Sequence, residues 1–259
     1  MFEFGKNWAS FSRQLDEGRL EEAARSLESL FGKGAMQGKS FLDIGCGSGL
    51  FSIAAGRLGA SKVLGLDIDP LSVSTSQENA NKWMKDRLMP VSFQQSSALD
   101  TDHMDMLGKF DLVYSWGVLH HTGNMAMALE NTARRVGEGG MLMIAIYNKH
   151  WSSPLWRMTK WFYNKLGEFG RRLLIAIFTP VIFLAKFLVT FKNPLKMKRG
   201  MDFMHNITDW VGGYPYEYAS VPEMKMILEG YGFSIVSVRK AAVPTGCNEY
   251  VCRLDGAGK

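Results

Sequence analysis

A chain of 259 residues with 46% apolar and 21% charged side chains can bury one large core, which excludes a disordered, collagen-like or disulfide-stapled miniature fold. The net charge of +5 is unevenly held, because residues 149–220 carry eleven Lys and Arg against four Asp and Glu, leaving the rest near −2. That distribution excludes a generally basic nucleic-acid-coating surface and points to one local anionic contact.

Three cysteines, Cys46, Cys247 and Cys252, show no C-x-x-C spacing, so neither a disulfide framework nor a zinc site is expected and a reducing cytoplasm is the natural setting. The first residues show no basic stretch followed by an apolar run, so no secretory leader is expected. Phe11, Leu15, Leu20, Ala23, Ala24, Leu27 and Leu30 recur near helical spacing and predict one or two helices, with Gly18 as a break. Strand-like runs then alternate with helical ones. Phe41–Ile44 precedes a helix near 51–58, Lys62–Leu66 one near 71–83, and Phe110–Ser115 one near 125–136. Val91–Gln94 and Met141–Tyr147 read as further strands. Val221–Gly230 reads as a helix, with proline near its start and glycine at its end, before strands at 233–239 and 249–254. The alternation predicts a doubly wound α/β fold, whose ligands bind beyond the carboxyl ends of the strands.

The first strand and turn read Phe41-Leu-Asp43-Ile-Gly45-Cys46-Gly47-Ser48-Gly49-Leu50. A dinucleotide fingerprint would put glycine where Leu50 stands, and Asp43 would repel a phosphate. A carboxylate there suits an ammonium group instead, such as that of a methionine moiety. The next strand ends at Asp67-Ile68, where an acid can accept hydrogen bonds from both hydroxyls of a ribose. Ser97-Ala98 after the third strand can meet an adenine edge through backbone groups.

Asp43-x-Gly45-x-Gly47-x-Gly49, Asp67 and Ser97-Ala98 resemble the successive cofactor motifs of class I S-adenosylmethionine-dependent methyltransferases. Residues Phe110 to Thr122 resemble their fourth strand and following loop, nearest the ubiquinone-biosynthesis O-methyltransferase branch. The resemblance implies a Rossmann-like, seven-stranded, mostly parallel sheet. It also implies S-adenosyl-L-methionine as cofactor, S-adenosyl-L-homocysteine as product, and cofactor contacts from Asp43, Gly45, Cys46, Gly47, Ser48, Gly49, Asp67, Ile68, Ser97, Ala98, Trp116 and Gly117. His121 then matches the family's histidine and is the first candidate for a base or acceptor-orienting group, with His120 beside it. Gly117 and His120 stand where some quinone O-methyltransferases have the acids that hold a divalent metal, so no metal site is expected.

Trp8, Tyr147, Asn148, Tyr214, Asn248 and Glu249 are the candidate acceptor-binding residues. Each also has a plain structural reading, as a strand-end polar group, a hairpin acid or a packed aromatic. Residues 1–40 read as an N-terminal helical flap, 41–148 and 221–259 as the catalytic domain, and 149–220 as an inserted helical cap. Within the cap, Leu173 to Phe191 is almost wholly apolar, is interrupted by Pro180 and Lys186, and lies between basic flanks. Three readings stand open for it: a buried cap or homodimer interface, a peripheral membrane contact through 171–199, and a spanning helix. The expected activity is methylation of a small-molecule acceptor, at oxygen first and at sulfur or nitrogen as alternatives, in the cytoplasm or at a membrane. A protein or RNA acceptor and a non-catalytic scaffold are the competing readings, and no specific nucleic acid is expected as partner.

Overall fold

A computed structural model describes residues 12, 15–84, 91–191, 193 and 203–256. Helix α1, Glu17–Phe31, starts on Asp16, whose carboxylate accepts from the Arg19 amide at 2.8 Å. Gly18 therefore lies in the first turn, and the break falls just before it at Leu15 and Asp16, between helical Ser12 and the aspartate cap. There follow β1 (Ser40–Ile44), α2 (Leu50–Arg57), β2 (Lys62–Asp67), α3 (Pro70–Trp83), β3 (Val91–Gln95), α4 (Thr101–Met106), β4 (Phe110–Trp116), a 3₁₀ turn at Leu119–His121, and α5 (Met125–Ala133). The chain continues through β5 (Val136–Tyr147), α6 (Ser153–Lys165), α7 (Glu168–Thr190), α8 (Phe203–Gly212), α9 (Val221–Gly230), β6 (Phe233–Arg239) and β7 (Cys247–Leu254). Short polar side chains start most of the connecting helices: Asp69 caps α3, Asp100 α4, Asn124 α5 and Ser220 α9.

The seven strands form one sheet in the order β3-β2-β1-β4-β5-β7-β6. Strands β1 to β5 run parallel, and β7 pairs antiparallel with both β5 and β6. The mostly parallel, doubly wound sheet expected from the sequence is present. Chain order reverses between β1 and β4, so the crevice of such a fold opens above the ends of these two strands.

Alternation along the strands divides the interior in two. Phe41, Tyr114, Met143 and Ala145 face a core shared with α1, α2 and α3. Leu42, Val113, Ile144 and Ile146 face one shared with α5 and α9. Leu20, Ala23, Leu27 and Leu30 of α1 fill the first of these, so residues 17–31 are part of the main body rather than a separate flap. A third, small cluster of Tyr163, Ile207 and Val211, with Leu174, Phe178, Ile182 and Trp210 against it, joins α6, α7 and α8 to one another.

Candidate active site

The turn after β1 is built by left-handed glycines, with φ of 77° at Gly45, 59° at Gly47 and 76° at Gly49. A side chain at Gly45 would place its Cβ 2.3 Å from a methyl carbon of Val118, in the loop after β4. At Gly49 the same atom would lie 3.0 Å from Phe93 and Ser76. Two of these glycines thus clear space for the protein's own packing, not only for a ligand. At Gly117, also left-handed, nothing lies within 4 Å of that position, so the loop after β4 borders open space.

Asp43 is 2% exposed and its carboxylate accepts from the Ser52 hydroxyl at 2.7 Å, which seats it beneath the turn. Asp67 ends β2 with one carboxylate oxygen on the Gly47 amide at 2.9 Å and the other on the Asp69 amide at 3.0 Å. Burial pushes this acid up to about 6, against the pull of those backbone donors. A carboxylate has about four acceptor positions, so beside the Gly47, Asp69 and Ile68 amides room remains for a ribose hydroxyl. Ile68 beside it is exposed. The Cys46 thiol is raised by burial and by the fields of Asp43 and Asp67, and lies 3.7 Å from the Ser76 hydroxyl. Ser76 and Asn79 of α3 donate to the carbonyls of Gly47 and Ser48 at 3.0 and 2.8 Å, fixing the turn from below. Across the rim, the Ser97 hydroxyl accepts from the Leu99 amide at 3.1 Å, and the Ala98 carbonyl accepts from Asn131 at 2.9 Å. The left-handed turn, the paired acid at the end of β2 and the open space at Gly117 together fit the donor that the motifs imply.

Beyond β4 the two histidines stack edge-on, with ring centres 4.5 Å apart. Tyr147 at the end of β5 packs 4.1 Å from His120 and 5.5 Å from His121, and Tyr216 closes the group 4.9 Å from Tyr147. His121 Nδ1 lies 2.6 Å from the Pro215 carbonyl, which can only accept, so Nδ1 carries the proton and Nε2 is the lone-pair nitrogen. Burial first, then the charge of Lys160, push His121 down to about 3. Burial lowers His120 as well, with smaller contributions from His121 and Lys160. Both rings are therefore neutral at physiological pH.

A strap over residues 214–219 holds this pair. The Glu217 amide donates to the His120 carbonyl at 2.9 Å, and the Glu217 carboxylate accepts from the Met125 amide at the start of α5. Ala219 donates to the Tyr147 carbonyl at 3.0 Å. Lys160 of α6 is fully buried, bonded to the Trp210 carbonyl, with its ammonium 4.8 Å from the Tyr216 ring centre and 5.3 Å from that of Tyr147.

The structure brings together Tyr147, His120 and His121, and sets Tyr214 just outside them, where it lines a depression of about 270 Å³ with Pro154, Arg157, Met158 and Trp161. Asn148 and Asn248 instead bind each other at 3.0 Å and pin the ends of β5 and β7, with Asn148 donating to Pro244 and Asn248 accepting from Ala241. Glu249 accepts from the Trp116 indole at 2.8 Å. Trp8 lies outside the described residues. Lys160 and the strap carbonyl of Pro215 have no signal in the sequence, whereas Tyr216 belongs to a visible aromatic cluster. Among the described residues, no group of three or more His, Cys, Asp or Glu side chains gathers as a metal site would require.

A family model described as a methyltransferase domain matches residues 15–238. The ribosomal protein L11 methyltransferase of Xanthomonas axonopodis pv. citri is 33% identical over 140 residues, 53% of this chain and 42% of the relative. That of Klebsiella pneumoniae is 51% identical over 47 residues, 18% of this chain and 16% of the relative. The chain thus spans less than half the length of these curated relatives. Among solved structures, the magnesium protoporphyrin IX methyltransferase of Synechocystis superposes with a TM-score of 0.56 at 18% identity, over 91% of this chain and 83% of that one. An O-methyltransferase family protein from Burkholderia thailandensis gives 0.54 at 14% identity, over 90% of this chain and 55% of its own. At these identities the likeness is one of fold.

Proposed function

Because the chain belongs to the methyltransferase-domain family, whose donor is S-adenosyl-L-methionine, we propose that it methylates a hydroxyl oxygen of a small, largely apolar molecule in the cytoplasm. The observation that carries this reading is the closed group of His120, His121, Tyr147 and Tyr216 above the ends of β4 and β5, strapped at Pro215 and Glu217. Two neutral imidazoles set among aromatic rings suit an apolar body carrying one hydroxyl.

In this reading the glycine turn cradles the methionine part of the donor through backbone groups, and Asp67 accepts from its ribose. Ser97 and Ala98 border its adenine. Asp43, held under the turn by Ser52, contributes negative potential towards the donor's ammonium. When bound, the donor supplies a sulfonium methyl group for an in-line displacement. Much of the rate then comes from alignment, worth up to about 7–11 kcal/mol in well-oriented reactions. His121 Nε2 accepts a hydrogen bond from the acceptor's hydroxyl and aims its oxygen. Being pushed down to about 3, His121 orients rather than stores the proton, which passes to water as the oxygen gains the methyl. The resemblance of the Phe110–Thr122 motif to the ubiquinone-biosynthesis O-methyltransferase branch fits this chemistry. A protein acceptor is the second reading, favoured by the 33% identity to a ribosomal protein L11 methyltransferase.

The test is adenosylhomocysteine release with a panel of phenols and apolar alcohols beside purified ribosomal protein. Replacing His121 with Ala should lower kcat on an accepted alcohol by about tenfold, the loss of one orienting hydrogen bond, while donor affinity stays unchanged. Turnover on the protein alone, or full activity without His121, would overturn the reading.

A further inference from the structure

Helix α7 is apolar through most of its length, yet none of its apolar window is fully buried and only one face is packed. Leu174, Ile175, Phe178, Ile182 and Phe183 pack against the small core of α6 and α8. The opposite stripe of Leu173, Ile177, Val181, Leu184 and Leu188 is between 51 and 56% exposed. Its spacing of three or four residues keeps these side chains on one face. Helix α6, packed beside α7, exposes Leu155, Met158 and Phe162 at the same spacing, together with Trp161. Trp151 and Phe169, at the two helix entries, are 84 and 83% exposed. A soluble monomer seldom leaves an apolar surface of this extent in water.

The charge around it decides what covers it. Along the sequence, residues 149–199 hold eleven Lys and Arg against one acid, Glu168, which is paired with Arg172 at 2.5 Å; Lys160 is buried and Lys149 is paired with Glu223, and an excess of positive charge remains. A second copy would bring an equal excess of positive charge against the first, so two-fold pairing through this face is opposed by its own field. Nucleic acid would match the charge and not the leucines. A bilayer bearing anionic headgroups matches both, since apolar side chains sink below the headgroups while lysines and arginines reach back to them. Tryptophan near the helix entries suits that boundary.

We propose that the exposed face of α6 and α7 docks this protein on an anionic membrane surface, lying in the interface plane. Glu168–Val189 is long and apolar enough to cross a membrane, with a mean hydropathy of 2.1. Its other face packs onto α6 and α8, which favours an orientation in the plane of the interface beside them. This inference goes beyond the proposed acceptor and holds whatever that acceptor is.

Flotation of the full chain with vesicles tests it. The protein should rise with mixed phosphatidylcholine–phosphatidylglycerol vesicles and much less with phosphatidylcholine alone or at high salt. Ile177→Glu combined with Leu184→Glu should cut the bound fraction roughly tenfold or more, since each puts a charge where an exposed apolar side chain would enter the bilayer. Leu155→Glu with Met158→Glu is a second variant on the neighbouring helix, and unchanged adenosylhomocysteine binding reports that each still folds. Failure of the unaltered chain to float with anionic vesicles would overturn the proposal. So would folded variants that float as well as it does, or a dimer in sedimentation that these substitutions abolish.

Discussion

At the scale of single residues, two positions in the donor turn make separable predictions. Asp67 stands at about 6 because burial opposes its charge. A ribose donates hydrogen bonds to the ionised form, so binding and ionisation reinforce each other. Affinity for adenosylhomocysteine should therefore be full above about pH 7 and fall as pH drops through about 6, by up to tenfold per pH unit for one coupled proton. Calorimetric titration across pH 5 to 8 should show this slope, and Asp67→Asn should flatten it at a weaker affinity; an equal slope in the variant would sink the assignment. Gly45→Ala combines a φ of 77° with a Cβ 2.3 Å from Val118. The left-handed backbone costs about 1–2 kcal/mol and the overlap about 1–3 kcal/mol more. A Tm drop of several degrees without added donor is expected, and an unchanged melt would show that Val118 yields freely. Gly45 was legible in the sequence because a backbone with positive φ demands glycine, and Asp67 because it ends the apolar run of the next strand. Lys160 was not, since a helical lysine ordinarily reads as solvated and only tertiary packing buries its ammonium among Tyr147, Trp210 and Tyr216.

Among the elements, α9 shows how a local device positions the site. Ser220 and Glu223 form a reciprocal cap, with the Ser220 amide donating to the Glu223 carboxylate at 2.7 Å and the Glu223 amide to the Ser220 hydroxyl at 3.4 Å. The cap lies one residue beyond Ala219, where the strap over the histidines bonds to β5. Ser220→Ala should cost about 1 kcal/mol in denaturant unfolding. It should also loosen the strap and raise KM for the acceptor more than for the donor; equal effects on both would place the damage elsewhere. Glu223 is held down at about 2, first by Lys149 and then by Ser220. Its folded value lies below its unfolded one, so its contribution is present above about pH 4.5 and is lost as pH falls towards 2. Being largely exposed, the pair is screened, and the measurable loss should shrink further with added salt. Such helix starts could be read from Pro222 and the apolar spacing. The strap could not, because its residues bond to partners far away in the chain, as Pro215 does to His121 and Glu217 to Met125.

For the molecule as a whole, unequal packing should appear as unequal stability. Strands β1, β4 and β5 are buried on both faces by two large cores, whereas α6, α7 and α8 share one small cluster. Strand alternation and the glycine turn made the sheet readable, because burial on two faces constrains nearly every strand residue. Helix α7 was ambiguous because a segment apolar through most of its length does not say which side is covered. The structure divides it into a packed face and a bare one, and from that division a hierarchy of opening follows. Regions with few buried contacts open at free energies well below that of global unfolding. Amide exchange in α6 to α8 should therefore proceed through local opening, far faster than in β4 and β5, and adenosylhomocysteine should slow exchange around Gly45–Gly49 and Asp67 while leaving α7 almost unchanged. Mass-spectrometric exchange with and without the product would measure both. If α7 exchanged as slowly as β5, or if the product protected it as strongly as the glycine turn, the helices would belong to the same cooperative unit as the sheet and the division into two tiers of stability would be wrong.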